Sequence, residues 1–277
     1  MKHFCKELNK SFETKEDIFK ALIENENLIF AQKKLEIKSI DKSCQIVTSQ
    51  NEISKAIEND TIKGLKFDSD YYYFVVNSAN ILDSHGDMHV EGNWNKTVKE
   101  QKGKVYLVRE HSLKRNDVIA FPNSIELLTA KVPFSAIGKN HDGETYSLIY
   151  KVKKSDIVDE QAKIWLEKGI PLQASVRMQY VKIETAINST NTEYAKQKAV
   201  YDQYHPLIAN KEDFDSIDYF WVIKEAKNTL ESSLVLFGSN QATGLIQENK
   251  EQSEDTQPTK EEQHNGTQEE QKKVLIF

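Results

Sequence analysis

The sequence predicts a strand-dominated α+β protein with a closed or nearly closed β-barrel and flanking helices. Seven segments between residues 71 and 237 carry the apolar or alternating patterns typical of strands, and one strong helical pattern interrupts them. The 277 residues are enough for a sizeable core. We therefore predict one barrel domain at 60–246, preceded by a helical or extended segment at 1–59 and followed by a tail at 247–277.

The first predicted element is a helix at residues 14–25. Thr14 followed by Asp17 resembles a capping box, in which a threonine and an acidic residue three positions later satisfy free backbone N–H groups. Apolar residues then recur at helical spacing, at Ile18, Phe19, Leu22 and Ile23. We expect this helix to lie outside the main core.

The barrel domain is predicted from its strand-like segments, which are 71–82, 104–109, 126–137, 145–152, 170–184, 219–224 and 230–237. The interrupting helix at 156–168 ends at Gly169, in the position where helices favour a left-handed residue. A polar insertion at 186–218 separates the last two strands from the others, and its residues 192–204 favour a surface helix.

Composition argues against several classes of protein. The net charge of −6 argues against a protein whose main role is to bind nucleic acid backbones. Cys5 and Cys44 are the only cysteines, so neither a disulfide framework nor a structural zinc site is indicated. No run approaches the ~18 apolar residues of a membrane span, and the first residues lack the apolar centre of a signal peptide. We expect a soluble, cytoplasmic protein without a cofactor or metal ion.

The tail has a composition of its own. Residues 247–273 contain no Ala, Val, Ile, Leu, Met, Phe, Trp, Tyr or Cys, and their eight acids and four lysines supply −4 of the net charge. Such a segment cannot bury enough apolar surface to offset its ordering entropy, so we predict that it is disordered. It ends in a short apolar sequence, VLIF, at 274–277.

One serine lies in the middle of the polar face of a regular strand. In the sequence GIPLQASVRMQYV, polar residues alternate with apolar ones at Gln173, Ser175, Arg177 and Gln179. An ordinary solvent-facing serine explains this pattern. A nucleophilic serine would in addition need a base and an orienting acid from other parts of the chain.

Two other strands supply candidates for these partners. His111 ends the apolar strand at 105–110, where a base can meet a serine held on a neighbouring strand. Glu231 is the one carboxylate in an apolar strand, where a charge is costly unless it is paired or hydrogen-bonded. Three strands therefore each carry one member of a Ser/His/acid set.

A separate segment with two histidines indicates a different chemistry, that of a metal site. The sequence DSHGDMH at 83–89 places His85, Asp87 and His89 close together, and these are residue types that bind metal ions. Gly86 between polar residues after an apolar strand is also typical of a turn. Metal sites usually draw a further ligand from a distant segment, and no partner cluster is visible in the sequence.

The order of these segments over roughly 75–245 resembles the capsid maturation proteases, or prohead proteases, of tailed bacteriophages. That family has a D-x-x-G-D turn, an apolar strand ending in His, a strand with a central Ser after a glycine-terminated helix, and a late L-x-E-x-S strand. The matching residues here are Asp83, Gly86, Asp87, Gly92, His111, Ser175, Leu230, Glu231 and Ser233.

The resemblance implies a role for each site residue. Ser175 would be the nucleophile, His111 its general base, and Glu231 the acid that orients the imidazole. Arg177 would supply positive charge to an oxyanion, with a surface arginine as the alternative. The implied fold is the β-barrel shared with herpesvirus assemblins. The chain departs from the family in the residues after Ser175 and in the long insertion at 186–218.

The function that the resemblance implies is a phage prohead serine endopeptidase. It would act inside the assembling capsid in the host cytoplasm, on scaffold, on the major capsid protein precursor and on itself. Self-association stays open, and neither a membrane nor a specific nucleic acid is expected as a partner. The acidic tail would be a removable, scaffold-like or packaging extension.

Two other classes of function remain as alternatives. A non-catalytic capsid assembly or scaffolding protein would have the same barrel without needing a contact between His111 and Ser175. A metal-dependent hydrolase would need His85, Asp87 and His89 to converge with a distant ligand. The acid of the triad also has competitors in Asp218, Glu225 and His141, and Glu231 is preferred because it alone interrupts an apolar strand.

Overall fold

The structure is a computed structural model that describes residues 2–35, 68–236, 238 and 240–246. The predicted tail at 247–277 and Cys44 lie outside these residues. The described part is mixed α+β and rich in strand, as the sequence predicts. No helix in it is long and apolar enough to cross a membrane.

The N-terminal segment is a small hairpin followed by two helices. The hairpin consists of β1 (His3–Cys5) and β2 (Lys10–Phe12), and the helices are α1 (Lys15–Glu24) and α2 (Glu26–Leu35). The predicted capping box forms, since Thr14 Oγ1 accepts from the Asp17 N–H at 3.1 Å and Asp17 Oδ2 accepts from the Thr14 N–H at 3.2 Å. The prediction that α1 lies outside the main core is wrong, because Phe19 and Leu22 pack into the largest core cluster.

The remaining strands are β3 (Tyr71–Ser78), β4 (Asp87–His89), β5 (Tyr106–Arg109), β6 (Val118–Ala120), β7 (Ile125–Pro133), β8 (Glu144–Lys153), β9 (Gln173–Ile187), β10 (Tyr219–Val235) and β11 (Gly244–Leu245). Hydrogen bonds among the described strands give one sheet in the order β4-β10-β5-β6, with β9 on β10, and a second in the order β11-β3-β8-β7. Both sheets contribute to the largest core cluster, where Val76 and Tyr150 of the second sheet join Leu107 and Val176 of the first. The closed or nearly closed barrel stays a prediction.

Strand β10 is the element that organises the first sheet. It is 17 residues long and joins the predicted strand at 219–224 with the 230–235 part of the predicted strand at 230–237 in one element. Antiparallel β9 pairs along one of its sides, while parallel β4 and β5 pair with its first and second halves. A residue after β5, one on β9 and one on β10 can therefore meet on a single face of the sheet.

An irregularity interrupts β10 next to β5. From Asn228 to Ser232 the strand advances four residues, while its partner β9 advances two, from Met178 to Val176. Leu230 within this bulge has a φ of 79°. Bulges of this kind change the direction of side chains and occur often beside functional sites.

Three helices flank the sheets, namely α3 (Asn95–Glu100), α4 (Glu160–Glu167) and α5 (Ala195–Tyr204). Gly169 follows α4 with a φ of 62°, which confirms the predicted helix end. Helix α5 lies within the predicted 192–204, after a turn of 3₁₀ helix at Thr192–Tyr194. Its Tyr201 and Tyr204 are buried in a small cluster with Phe220 of β10.

Candidate active site

Ser175 lies on β9 at the point where that strand, β10 and β5 run side by side. Its Cα pairs with that of Ser233 on β10, and the Cα of Ser233 pairs in turn with that of Val108 on β5. Ser175 is only 8% exposed. The interpretation of Ser175 as a solvent-facing serine therefore does not fit its position.

His111 is directed over the sheet by a left-handed turn at the end of β5. Glu110 and His111 have φ values of 47° and 54°, a region that costs non-glycine residues about 1 kcal/mol or more. The turn is fastened to β10 by two hydrogen bonds, from the Glu110 N–H to the Leu234 carbonyl at 3.1 Å and from the His111 N–H to Ser233 Oγ at 2.8 Å. These bonds offset the strain and fix where the imidazole lies.

The three predicted residues form one hydrogen-bonded chain. His111 Nε2 lies 3.0 Å from Ser175 Oγ, and His111 Nδ1 lies 2.8 Å from Glu231 Oε1. A carboxylate can only accept, so Nδ1 carries the proton of a neutral imidazole and Nε2 is left to accept from the serine hydroxyl. This is the tautomer that a general base next to a serine requires.

Glu231 is fully buried, with 0% exposure, and is held on both of its oxygens. Oε1 faces His111, and Oε2 accepts the Ser233 hydroxyl at 2.8 Å. Glu231 lies within the β10 irregularity between Asn228 and Ser232, where the regular pairing with β9 is interrupted. A buried carboxylate needs such partners to compensate for its lost hydration.

The segment that follows His111 is fixed by Asp117. Its Oδ1 accepts from Arg109 Nη2 at 2.9 Å, and its Oδ2 accepts from Ser112 Oγ. Arg109 Nε also lies 3.1 Å from Asp159 Oδ2, at the N-cap of α4. Arg109 and Ser112, which lie on either side of His111, are therefore both hydrogen-bonded to the Asp117 carboxylate.

Arg177 follows Ser175 by two residues on the same face of β9. It is half-buried and makes no hydrogen bond or ion pair to any residue that the structure describes. It lies on β9 opposite the β10 bulge, between Val176 and Met178. A role for Arg177 at an oxyanion stays a prediction.

The competing acids lie in other environments. Asp218 forms an ion pair with Lys15, at 2.7 Å between Nζ and Oδ2. Glu225 lies between Lys182 and Lys96, and hydrogen bonding to Lys182 lowers the pKa of its carboxyl.

The third competitor, His141, packs edge-on against Phe134, and burial lowers the pKa of its imidazole. Among the described contacts, Glu231 is the acid that meets His111.

The DSHGDMH segment forms a turn built on Asp83. Asp83 Oδ1 accepts from the backbone N–H groups of His85 at 2.8 Å and of Asp87 at 2.9 Å, and Gly86 has a φ of 71°.

The fully buried Asp87 carboxylate is paired with Lys33 of α2 and accepts from the Tyr180 hydroxyl at 2.9 Å. Within the described residues, no group of three His, Cys, Asp or Glu side chains is arranged to hold a metal ion.

Ser233 is a polar residue of this site to which the sequence pattern assigns no role. It belongs to the L-x-E-x-S pattern, and it contacts both His111 and Glu231. Its position two residues after Glu231, on the same face of one strand, was the available signal.

Comparisons of the chain with protein-family models, with curated proteins and with solved structures found no match.

Proposed function

We propose that this protein is a serine endopeptidase with Ser175 as nucleophile, His111 as general base and Glu231 as orienting acid. The observation that carries the proposal is the continuous hydrogen-bonded chain Ser175 Oγ, His111, Glu231, with separations of 3.0 and 2.8 Å. In the sequence, His111 is 64 residues from Ser175 and 120 residues from Glu231. A nucleophile, a base and an orienting acid in hydrogen-bond reach define this class of chemistry.

The proposed reaction uses the contacts of these three residues. Ser175 Oγ attacks the carbonyl carbon of the scissile peptide bond while its proton passes to His111 Nε2. Glu231 stabilises the imidazolium that forms, because its carboxylate accepts the Nδ1–H. Breakage of the C–N bond then takes the proton from Nε2 to the leaving amine, and leaves an ester on Ser175. A water molecule, activated by the same nitrogen, hydrolyses that ester and restores the serine.

Arg177 is proposed to stabilise the negative charge on the carbonyl oxygen during both attacks. Its guanidinium is on the same strand face as Ser175 and has no partner among the described residues. A fixed positive charge beside a developing oxyanion is a common source of transition-state stabilisation.

The biological role that we propose is capsid maturation in a tailed bacteriophage. Four motifs occur in the order of the prohead proteases, and the DSHGD motif forms a turn rather than an open cluster of ligands. The proposal includes a closed or nearly closed barrel, supported by the shared core of the two sheets. It also includes the assembling prohead as the location, with scaffold and major capsid protein precursor as substrates.

The geometry favours this function over its two alternatives. A non-catalytic assembly protein has no need for a fully buried glutamate held against a histidine and a serine, which is a costly arrangement. A metal-dependent hydrolase would need the Asp87 carboxylate, which is engaged with Lys33 and Tyr180.

Coexpression with the major capsid protein precursor from the same genome tests the proposal. The wild-type protein should shorten the precursor at its N-terminal region, which intact mass spectrometry would detect. Ser175→Ala should leave the precursor at full length and keep its own fold, since a small polar side chain on a strand contributes little to packing. Equal processing by a folded Ser175→Ala protein would overturn the proposed mechanism.

A further inference from the structure

Ser233 occupies the point where the three elements of the candidate site meet. It is fully buried on β10, between the strand that leads to His111 and the strand that carries Ser175. Its Cα pairs with both Val108 of β5 and Ser175 of β9. The Cα of Ser233 therefore lies between those of Val108 and Ser175, and its side chain contacts His111 and Glu231.

The hydroxyl of Ser233 both donates and accepts a hydrogen bond within the candidate site. It donates to Glu231 Oε2 at 2.8 Å and accepts from the His111 backbone N–H at 2.8 Å. Its oxygen also lies 3.1 Å from His111 Nδ1. The first two contacts use the hydroxyl proton and one acceptor position of Ser233, while the third is a longer contact to the nitrogen whose single proton is donated to Glu231 Oε1.

We propose that Ser233 is a positioning residue of the triad, which holds both the carboxylate and the backbone of the catalytic histidine. Its donated hydrogen bond occupies Oε2 and so directs Oε1 to the imidazole. Its accepted hydrogen bond fixes the left-handed turn at His111, whose φ of 54° would otherwise relax. The inference rests on the proposed function, since it assigns Ser233 to the same reaction.

The loss of this hydroxyl should affect reactivity more than binding. Without it, Glu231 Oε2 and the His111 N–H are both left buried without a partner, and the carboxylate can rotate away from Nδ1. Ser175 would then be deprotonated less efficiently, although the surface that receives the substrate is unchanged. The maximal rate should fall, while the concentration for half-saturation should stay the same.

A neighbouring serine provides a matched control. Ser232 is as buried as Ser233, but it lies on the opposite face of β10, where its Oγ is 3.5 Å from Asn228 Nδ2. Ser232→Ala removes the same atom from the same strand without touching His111 or Glu231.

The experiment measures covalent labelling of Ser175 by a fluorophosphonate probe, with the adduct located by peptide mass spectrometry. We expect Ser233→Ala to lower the maximal labelling rate roughly 10- to 100-fold, the scale of a lost hydrogen bond to a charged group, at an unchanged half-saturating concentration. Ser232→Ala should label like the wild type.

Two further variants separate positioning from packing. Ser233→Cys keeps the side-chain volume but gives only a weak donor and acceptor, so it should be slow like Ser233→Ala, and it carries the test if Ser233→Ala does not fold. Ser233→Thr restores the hydroxyl and should label faster than either. Normal labelling by a folded Ser233→Cys protein would overturn the inference and leave the proposed function intact. Absence of labelling in the wild type would overturn the proposed function and this inference with it.

Discussion

Two sites in this molecule each combine a strand-end histidine with a buried carboxylate, but the partners of those carboxylates differ. Glu231 faces the imidazole of His111, whose other nitrogen meets Ser175. Asp87 instead pairs with Lys33, and the nearby His89 stacks on Trp94 with its Nδ1 2.7 Å from Asn93. The two sites use similar residue types, and the first places His111 Nε2 against the Ser175 hydroxyl.

The difference shows that the chemistry of each site depends on which segments supply the side chains that contact the buried carboxylate. At the Asp87 site a lysine from the N-terminal helices neutralises the carboxylate, and an aromatic ring packs on the histidine. Within the part of the chain that the structure describes, the Glu231 carboxylate contacts the imidazole of His111 and the hydroxyl of Ser233. A buried acid beside a lysine stabilises the fold, whereas a buried acid beside a histidine and a serine can support proton transfer.

The largest expected effect separates the two histidines. His111→Ala should lower peptide cleavage by about 10⁶-fold, the scale seen when one member of a serine triad is removed. His89→Ala should leave cleavage per folded molecule within a few-fold of the wild type, because the described contacts of His89 with Asn93 and Trp94 do not involve Ser175 or His111. Cleavage rates measured beside thermal unfolding curves check both expectations, and equal losses of activity in the two folded variants would contradict the assignment.

The next effect concerns the two carboxylates of β10. Glu231→Gln should lower cleavage about 10⁴-fold, because an amide no longer favours the required tautomer. The control is Glu225→Gln, on the same strand but paired with two lysines, which should remain close to the wild type. If Glu231→Gln cleaves normally while Asp218→Asn is inactive, then the acid has been assigned to the wrong residue.

A third change tests the stabilising role of the Asp87 site. Lys33→Met removes the cation from a buried ion pair, which should lower the free energy of unfolding by about 3–5 kcal/mol. Cleavage per folded molecule should change little, since the Ser175–His111 pair is not touched. The matched control is Lys34→Met on the same helix, and chemical denaturation measures both. A stable Lys33→Met protein with lost cleavage would reverse the roles that we give to the two sites.

The smallest expected effect is that of chelation. Prolonged treatment with EDTA should leave cleavage unchanged, because the proposed reaction uses only side chains of this chain. Loss of cleavage that zinc restores would instead favour the metal-dependent alternative.

The sequence was sufficient to predict elements that depend on local patterns. The alternation at 170–184 and the Gly169 helix end both appear in the structure, as does the capping box at Thr14. A single strand replaces the two predicted at 219–224 and 230–237, because the polar residues between them still pair with β9.

Features that depend on distant contacts could not be predicted. The packing of Phe19 into the main core, the bulge at Glu231 and the left-handed turn at His111 are set by the register of strands far apart in sequence. For the same reason the sequence suggested which residue types could form a triad, while the contacts of Ser233 became visible only in three dimensions.

The most direct test of the central claim is the site of reaction of the folded wild-type protein with a fluorophosphonate. We predict a single covalent adduct, located on Ser175 by peptide mass spectrometry, which disappears when the protein is unfolded in urea before the probe is added. A folded protein that gives no adduct, or gives one on a serine other than Ser175, would contradict the assignment of Ser175 as the nucleophile.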